Sequence, residues 1–166
     1  MKKIAKSLLL TLMMLGITTQ TAPAIAANAD SPEQKIVKYG SQGSFVGAAN
    51  IFTGKVTVDM LFAASKDLPA GAAYVNFEAG ARSAWHTHPL GQTLLIISGT
   101  AWTQEWGKDI QEAHAGDVIV CPANVKHWHG AAPNTPMVHL ALTGTTADGQ
   151  NVTWLEKVSD AQYNAR

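Results

Sequence analysis

Seven short apolar runs, each closed by turn-forming residues, constrain the fold of this chain more than any other feature. The runs are Lys55–Phe62, Ala72–Glu78, Thr93–Ser98, Ala101–Trp106, Val118–Cys121, Met137–Thr143 and Val152–Val158. Between them lie Leu68-Pro69-Ala70-Gly71, Ala79-Gly80, Ser98-Gly99, Gly107-Lys108-Asp109, Ala115-Gly116-Asp117, Pro133-Asn134-Thr135-Pro136 and Asp148-Gly149. Runs this short read as strands, and strands evenly spaced between Gly, Pro, Asn and Asp clusters form a sandwich or barrel. The expected fold is therefore all-β, with one short terminal helix over Asp160–Asn164 capped by Ser159. With 166 residues, one domain is expected, with a core large enough to need no staples.

Alternation gives these strands an inside. Ala73, Val75 and Phe77 share one face, with Tyr74 and Asn76 on the other. In the run from Met137, His139, Ala141 and Thr143 share a face opposite Val138, Leu140 and Leu142. Such a strand belongs in a barrel wall, with one set lining the interior and the other packed outward against a second layer. Ala73, Val75 and Thr143 are accordingly expected to shape a pocket.

Charge excludes other classes. Twelve basic and twelve acidic residues give no basic stripe, so no nucleic-acid partner is expected. With 46% hydrophobic and 14% charged residues, the chain is not a disordered one. Its one cysteine, Cys121, can form neither an internal disulfide nor a cysteine metal site and reads as a buried, inert thiol. Lys2, Lys3 and Lys6, the apolar run Leu8–Ile17 and Ala24-Ile25-Ala26 follow the grammar of a secretory signal. The run is too short for a bilayer span of ~20 residues, and no cysteine is present for a lipid anchor, so no stable membrane anchor is expected. Cleavage after Ala26 (Ala29 satisfies the same rule) removes 26 of 166 residues and leaves 140, with 9 basic and 12 acidic groups and a charge of about −3. The expected order is thus a signal peptide over 1–26, a polar arm over 27–44 and one domain over 45–166, in a periplasmic or secreted protein.

Four of the six histidines form two His-x-His pairs, His86/His88 and His127/His129. On a strand, residues two apart point to one side. Imidazole is a preferred ligand for zinc, copper, iron and nickel, and three inward rings leave coordination positions open. Gln92, four residues beyond His88, offers an amide oxygen. His114, beside a Gly-Asp turn, reads as a surface residue, and Glu78 and Glu105 as solvated strand-end charges. Trp85, Trp102, Trp106, Trp128 and Trp154 read as core or interface.

The spacing of these residues resembles the two motifs of the cupin family. Gly80, His86, His88, Gln92 and Gly99 match the first, with Gln92 in the place of glutamate. Gly116, Pro122, Asn124, His127 and Ala131 match the second, with Asn124 in the place of glycine and Ala131 in that of asparagine. The stretches Gly80–Leu94 and Lys126–Pro133, together with His139, are similar to the bacterial cupin hydroxynitrile lyases, over about Gly40 to Tyr163. The resemblance implies a single-domain jelly-roll barrel holding a metal on His86, His88, Gln92 and His127. It also implies manganese as the metal (Fe, Zn, Ni or Cu being alternatives), cleavage of cyanohydrins to aldehyde and HCN, and a homo-oligomer, dimer or tetramer.

The chemistry expected of these residues starts from the neutrality of three imidazoles and an amide, which leave a divalent cation its full charge. His129 or His139, both inward, would take the hydroxyl proton of a small-molecule substrate, with Ser83 and Arg82 assisting. Two other classes remain: a metal-dependent cupin dioxygenase, and a non-catalytic periplasmic binding or metal-holding module, since fold alone does not decide function.

Overall fold

Burial follows the period of two read from the sequence, and this decides the architecture. The computed structural model describes residues 33–166, so the signal segment and the start of the arm lie outside the described residues. The strands are β1 (Ser44–Val46), β2 (Phe52–Thr53), β3 (Val56–Phe62), β4 (Ala70–Phe77), β5 (Arg82–Ser83), β6 (His86–Thr87), β7 (Gln92–Glu105), β8 (Gln111–His114), β9 (Val118–Cys121), β10 (His127–Ala131), β11 (Met137–Gly144) and β12 (Thr153–Trp154). One helix, α1 (Asp160–Tyr163), follows. They form one curled sheet of antiparallel neighbours in the order β1-β3-β4-β11-β7-β10-β5-β2. β8 and β9 add to β7, and β6 bridges β10 and β12. From Ile36 onward the chain is one unit.

The all-β expectation holds, with one instructive difference. Ser98-Gly99, expected to be a turn, lies inside the 14-residue strand β7. Gly99 has φ +77°, and a Cβ there would stand 1.8 Å from the Pro136 carbonyl oxygen. The glycine bends the strand without reversing it. Before the bend, β7 pairs with β9 and β11; beyond it, with β8 and β10. One strand thus belongs to both halves of the curl. The run expected over Val152–Val158 shortens to β12, because its end leaves the sheet to bury Val158 beneath the terminal helix.

The concave face carries the core: Val56, Val58, Phe77, Leu94, Ile96 and Met137, joined by Ala73, Val75 and Ala141. The convex face departs from expectation. Val138 and Leu140 are half-buried and Leu142 is 41% exposed, so no second layer covers them among the described residues. The curled sheet supplies both walls of its own core and leaves its outside to solvent.

A second apolar cluster, Trp85, Trp128, Val158 and Tyr163 with Trp102 against it, fastens the chain end. Ser159 and Gln162 form a reciprocal capping box on α1, as its Ser cap led one to expect. Arg82 is buried; it donates to the Val158 carbonyl, pairs with Asp160 and lies 4.6 Å over the Tyr163 ring. Trp154 packs on the main core, whereas Trp106 is 52% exposed beneath the Lys126 ammonium, 3.4 Å from its ring centre. Cys121 is buried, and desolvation pushes its thiol up to about 12. Glu78 and Glu105 are surface charges paired with Lys55 and Lys108. Among the described residues, no helix is long and apolar enough to cross a membrane.

Replacing Gly99 with alanine forces a Cβ into the Pro136 carbonyl at a left-handed φ. Left-handed backbone alone costs an L-residue about 1–2 kcal/mol. The G99A protein is expected to lose at least that much stability in denaturant unfolding; an unchanged midpoint would show that the bend is not fixed by the glycine.

Candidate metal centre and active site

Strand pairing brings the two His-x-His segments together. His86 on β6 and His127 on β10 are direct register partners, and their ring centres lie 4.3 Å apart. His129 projects to the same side of β10, its ring centre 5.1 Å from that of His86. His88 lies just beyond β6, in the turn that Gly91 closes with φ +78°. Asn124, standing where the cupin pattern has glycine, has φ 62°, and its N–H donates to the His88 carbonyl. Asparagine is among the few non-glycine residues that tolerate this conformation, which accounts for the substitution.

Five of the six histidines are buried, His139 completely. His114 stands apart on the surface beside Glu112, 3.3 Å away, as expected. Backbone carbonyls fix three tautomers. The Nδ1–H of His86 donates to Ala84, that of His127 to Val125 (both 2.9 Å), and that of His88 to Asn151 (2.5 Å). Each ring therefore presents Nε2 as a lone pair, the form that binds metal. The Nε2 atoms of His88 and His127 and the Oε1 of Gln92 are buried without a hydrogen-bond partner. Gln92 donates its Nε2–H to Thr143 Oγ1 at 2.9 Å. Three neutral acceptors without partners, with the lone pair of His86 Nε2 beside them, suit a divalent cation, so the donor set fits a metal.

One group of three histidines converges closely. The ligand atoms of His86, His127 and His129 lie within 4.8 Å of one another, and His88 is not in that group. His129 is held differently from the other rings. Its Nδ1 lies 3.2 Å from the Nε2 of His139, and no backbone carbonyl engages it. The pair abuts the Phe77 ring at 5.9 and 5.5 Å.

Burial keeps these rings neutral. Desolvation is the first cause at every one; at His86 the neighbouring His127 adds to it and the Ala84 carbonyl opposes it. His129 lies well below its ordinary value, and His139 is pushed down to about 3.

His86, His88, Gln92, His129 and His139 line a cavity of about 310 Å³ together with Ala73, Val75, Ala141 and Thr143. The three residues expected to shape the pocket are all there. His127 lines a separate, smaller space of about 90 Å³. Ser83 is not in the wall; its Oγ accepts the His129 backbone N–H at 3.2 Å. Arg82 turns away to the chain end, so neither side chain assists the cavity from within as expected. Alternation points one of two successive β5 residues outward, and the sequence does not show which. Phe45, Ile51, Phe52, Met60, Asn151 and Trp154 complete the wall without having been foreseen. Val58 and Met60 also alternate inward on β3, a signal available in the sequence; Asn151 sits in a loop with none.

The chain matches the cupin domain family over residues 73–143. It is 50% identical over 129 residues to the (R)-mandelonitrile lyase of Granulicella tundricola, covering 78% of this chain and 98% of that protein. The chain belongs to the cupin family. This cupin is also similar to a cupin-like protein from Thermotoga maritima, with 37% identity, a TM-score of 0.68, and 80% and 96% of the two chains covered. An acetylacetone dioxygenase from Acinetobacter johnsonii shares the fold alone, at 15% identity and a TM-score of 0.53 over 84% and 95% of the chains.

The depressed pKa values set a pH response. The unfolded chain binds protons at His129 and His139 near the ordinary pH of about 6.5, while the folded chain does so there only well below. Stability is therefore full above that pH and falls as pH drops. For His139 alone the loss at pH 5 is about 2 kcal/mol. Chelator-treated protein of this cupin should melt progressively lower between pH 7 and 5; a flat melting temperature would show that the buried rings are not held neutral.

Proposed function

We propose that this cupin is a metal-dependent hydroxynitrile lyase that cleaves cyanohydrins of the mandelonitrile type to aldehyde and HCN and catalyses the reverse addition. The observation that carries this reading is the 50% identity along 98% of a mandelonitrile lyase. The cavity supports it: its volume suits a small ligand, and its wall pairs apolar side chains with a cluster of imidazoles.

His86, His88, Gln92 and His127 would hold the cation, and manganese is the ion proposed. A divalent cation held there supplies positive charge that lowers the pKa of a substrate hydroxyl. The four ligands are neutral and do not offset that charge. His129 then acts as the base at Nε2, an atom with no hydrogen-bond partner in the protein on a ring that lines the cavity. For that nitrogen to hold a lone pair, Nδ1 carries the proton and donates it to His139 Nε2. His139 thus sets the tautomer of His129. The hydroxyl proton passes to His129 Nε2, the C–C bond to the nitrile carbon breaks, and the departing cyanide takes the proton from His129. Aldehyde and HCN leave, and the ring returns to its neutral form. The same burial that disfavours a charged His129 favours this prompt return. Ser83 serves by holding the backbone of His129.

Export to the periplasm or medium belongs to the same proposal and rests on the N-terminal sequence. A homo-oligomer does too, supported by the exposed Ile97, Val118, Val120 and Leu142 on the convex face.

The test is anaerobic release of benzaldehyde from mandelonitrile by manganese-loaded protein, against a chelated control. Metal-dependent release without oxygen is expected. No release with manganese confirmed bound overturns the proposal, and turnover that requires oxygen points to the dioxygenase class. The His129→Ala protein should retain manganese yet lose ~10²-fold in turnover, the scale of a lost general base; unchanged turnover removes His129 from the mechanism.

A further inference from the structure

We propose that Thr143 is a positioning residue that sorts the two ends of the Gln92 amide, presenting the oxygen to the cation and keeping the nitrogen away. The inference rests on the metal reading above and concerns how one neutral ligand is made dependable.

Gln92 opens β7, and Thr143 is its direct register partner on β11. Side chains so placed have Cβ atoms ~4.5–5.5 Å apart, close enough for a threonine hydroxyl to meet a glutamine amide. The Nε2–H of Gln92 donates to Thr143 Oγ1 at 2.9 Å. Oε1 is left buried and accepts nothing from the protein. Gln92 lines the same cavity as His88.

Chemistry gives this arrangement its meaning. An amide oxygen has lone pairs for a cation, whereas the amide nitrogen is a donor without one. A glutamine free to rotate about its last bond presents either end. The hydrogen bond from the nitrogen to Thr143 Oγ1 holds one of them in place. Thr143 is the cross-strand residue that makes this bond, and it lines the same cavity as Ala73, Val75 and Ala141. A carboxylate at position 92 would have no wrong end, because its two oxygens are equivalent. The threonine hydroxyl should therefore matter greatly to a glutamine ligand and little to a glutamate.

This contrast separates positioning from packing. The experiment is titration of manganese(II) into the chelated full-length protein, with free ion read by electron paramagnetic resonance. Removing an outer partner of a metal ligand typically costs 10–100-fold in affinity. Thr143→Val should weaken manganese binding by about that factor, and Thr143→Ser should stay within about 3-fold of wild type. In the Gln92→Glu background, adding Thr143→Val should change affinity by less than about 3-fold. Thr143→Ala repeats the loss of the hydroxyl without the extra methyl group and serves if the valine variant does not fold. Equal affinity of the hydroxyl-free variants and wild type overturns the proposal. So does an equal loss in the glutamine and glutamate backgrounds, which would assign Thr143 to packing. A wild-type chain that binds no manganese, zinc or iron overturns the metal reading itself, and the proposal falls with it.

Discussion

Everything at this site depends on keeping five buried imidazoles uncharged within a few ångströms of one another. A protonated ring there would lose its water and face its neighbours' charge in a medium that screens poorly. The protein meets this constraint by fixing tautomers as well as by burial. Carbonyls of Ala84, Val125 and Asn151 take the Nδ1 protons, and the opposite nitrogens keep their lone pairs. A cluster that would repel itself when charged becomes a convergent set of lone pairs when neutral. The fit to a cation and the reluctance to accept protons are thus one property of the same arrangement.

The scaffold supplies registration. His86 faces His127 across a strand pair, and Gln92 faces Thr143 across another. β7 links the two, because its bend at Gly99 places its first half beside β11 and its second beside β10. The site is therefore assembled on strands from both halves of the curl, and small errors of register would displace a ligand by a full residue to the opposite face.

Much of this was legible in the sequence because strand periodicity is a strict two. It put the His-x-His rings on common faces and turned Ala73, Val75 and Thr143 toward the interior, where they line the cavity. The cupin resemblance pointed to the same histidines and is upheld at the level of the family. What was not legible depends on partners distant in the chain. Ser98-Gly99 has the composition of a turn, and only Pro136 on the neighbouring strand shows that it is a bend. Arg82 looked like a helper of the cavity, but its partners Val158 and Asp160 lie far along the chain and draw it away. The grouping of His129 with His86 and His127 follows from ring positions that spacing does not specify.

The supports of the site come last in chain order. Asn151 holds His88, Trp154 pairs with His86, and Val158 and Asp160 satisfy Arg82, whose neighbour Ser83 steadies the backbone of His129. The imidazoles themselves are all in place by His139. During synthesis the imidazoles thus emerge before the segments that support them. Asn151, Trp154 and Val158 can engage their partners only after those imidazoles and Arg82 are already made.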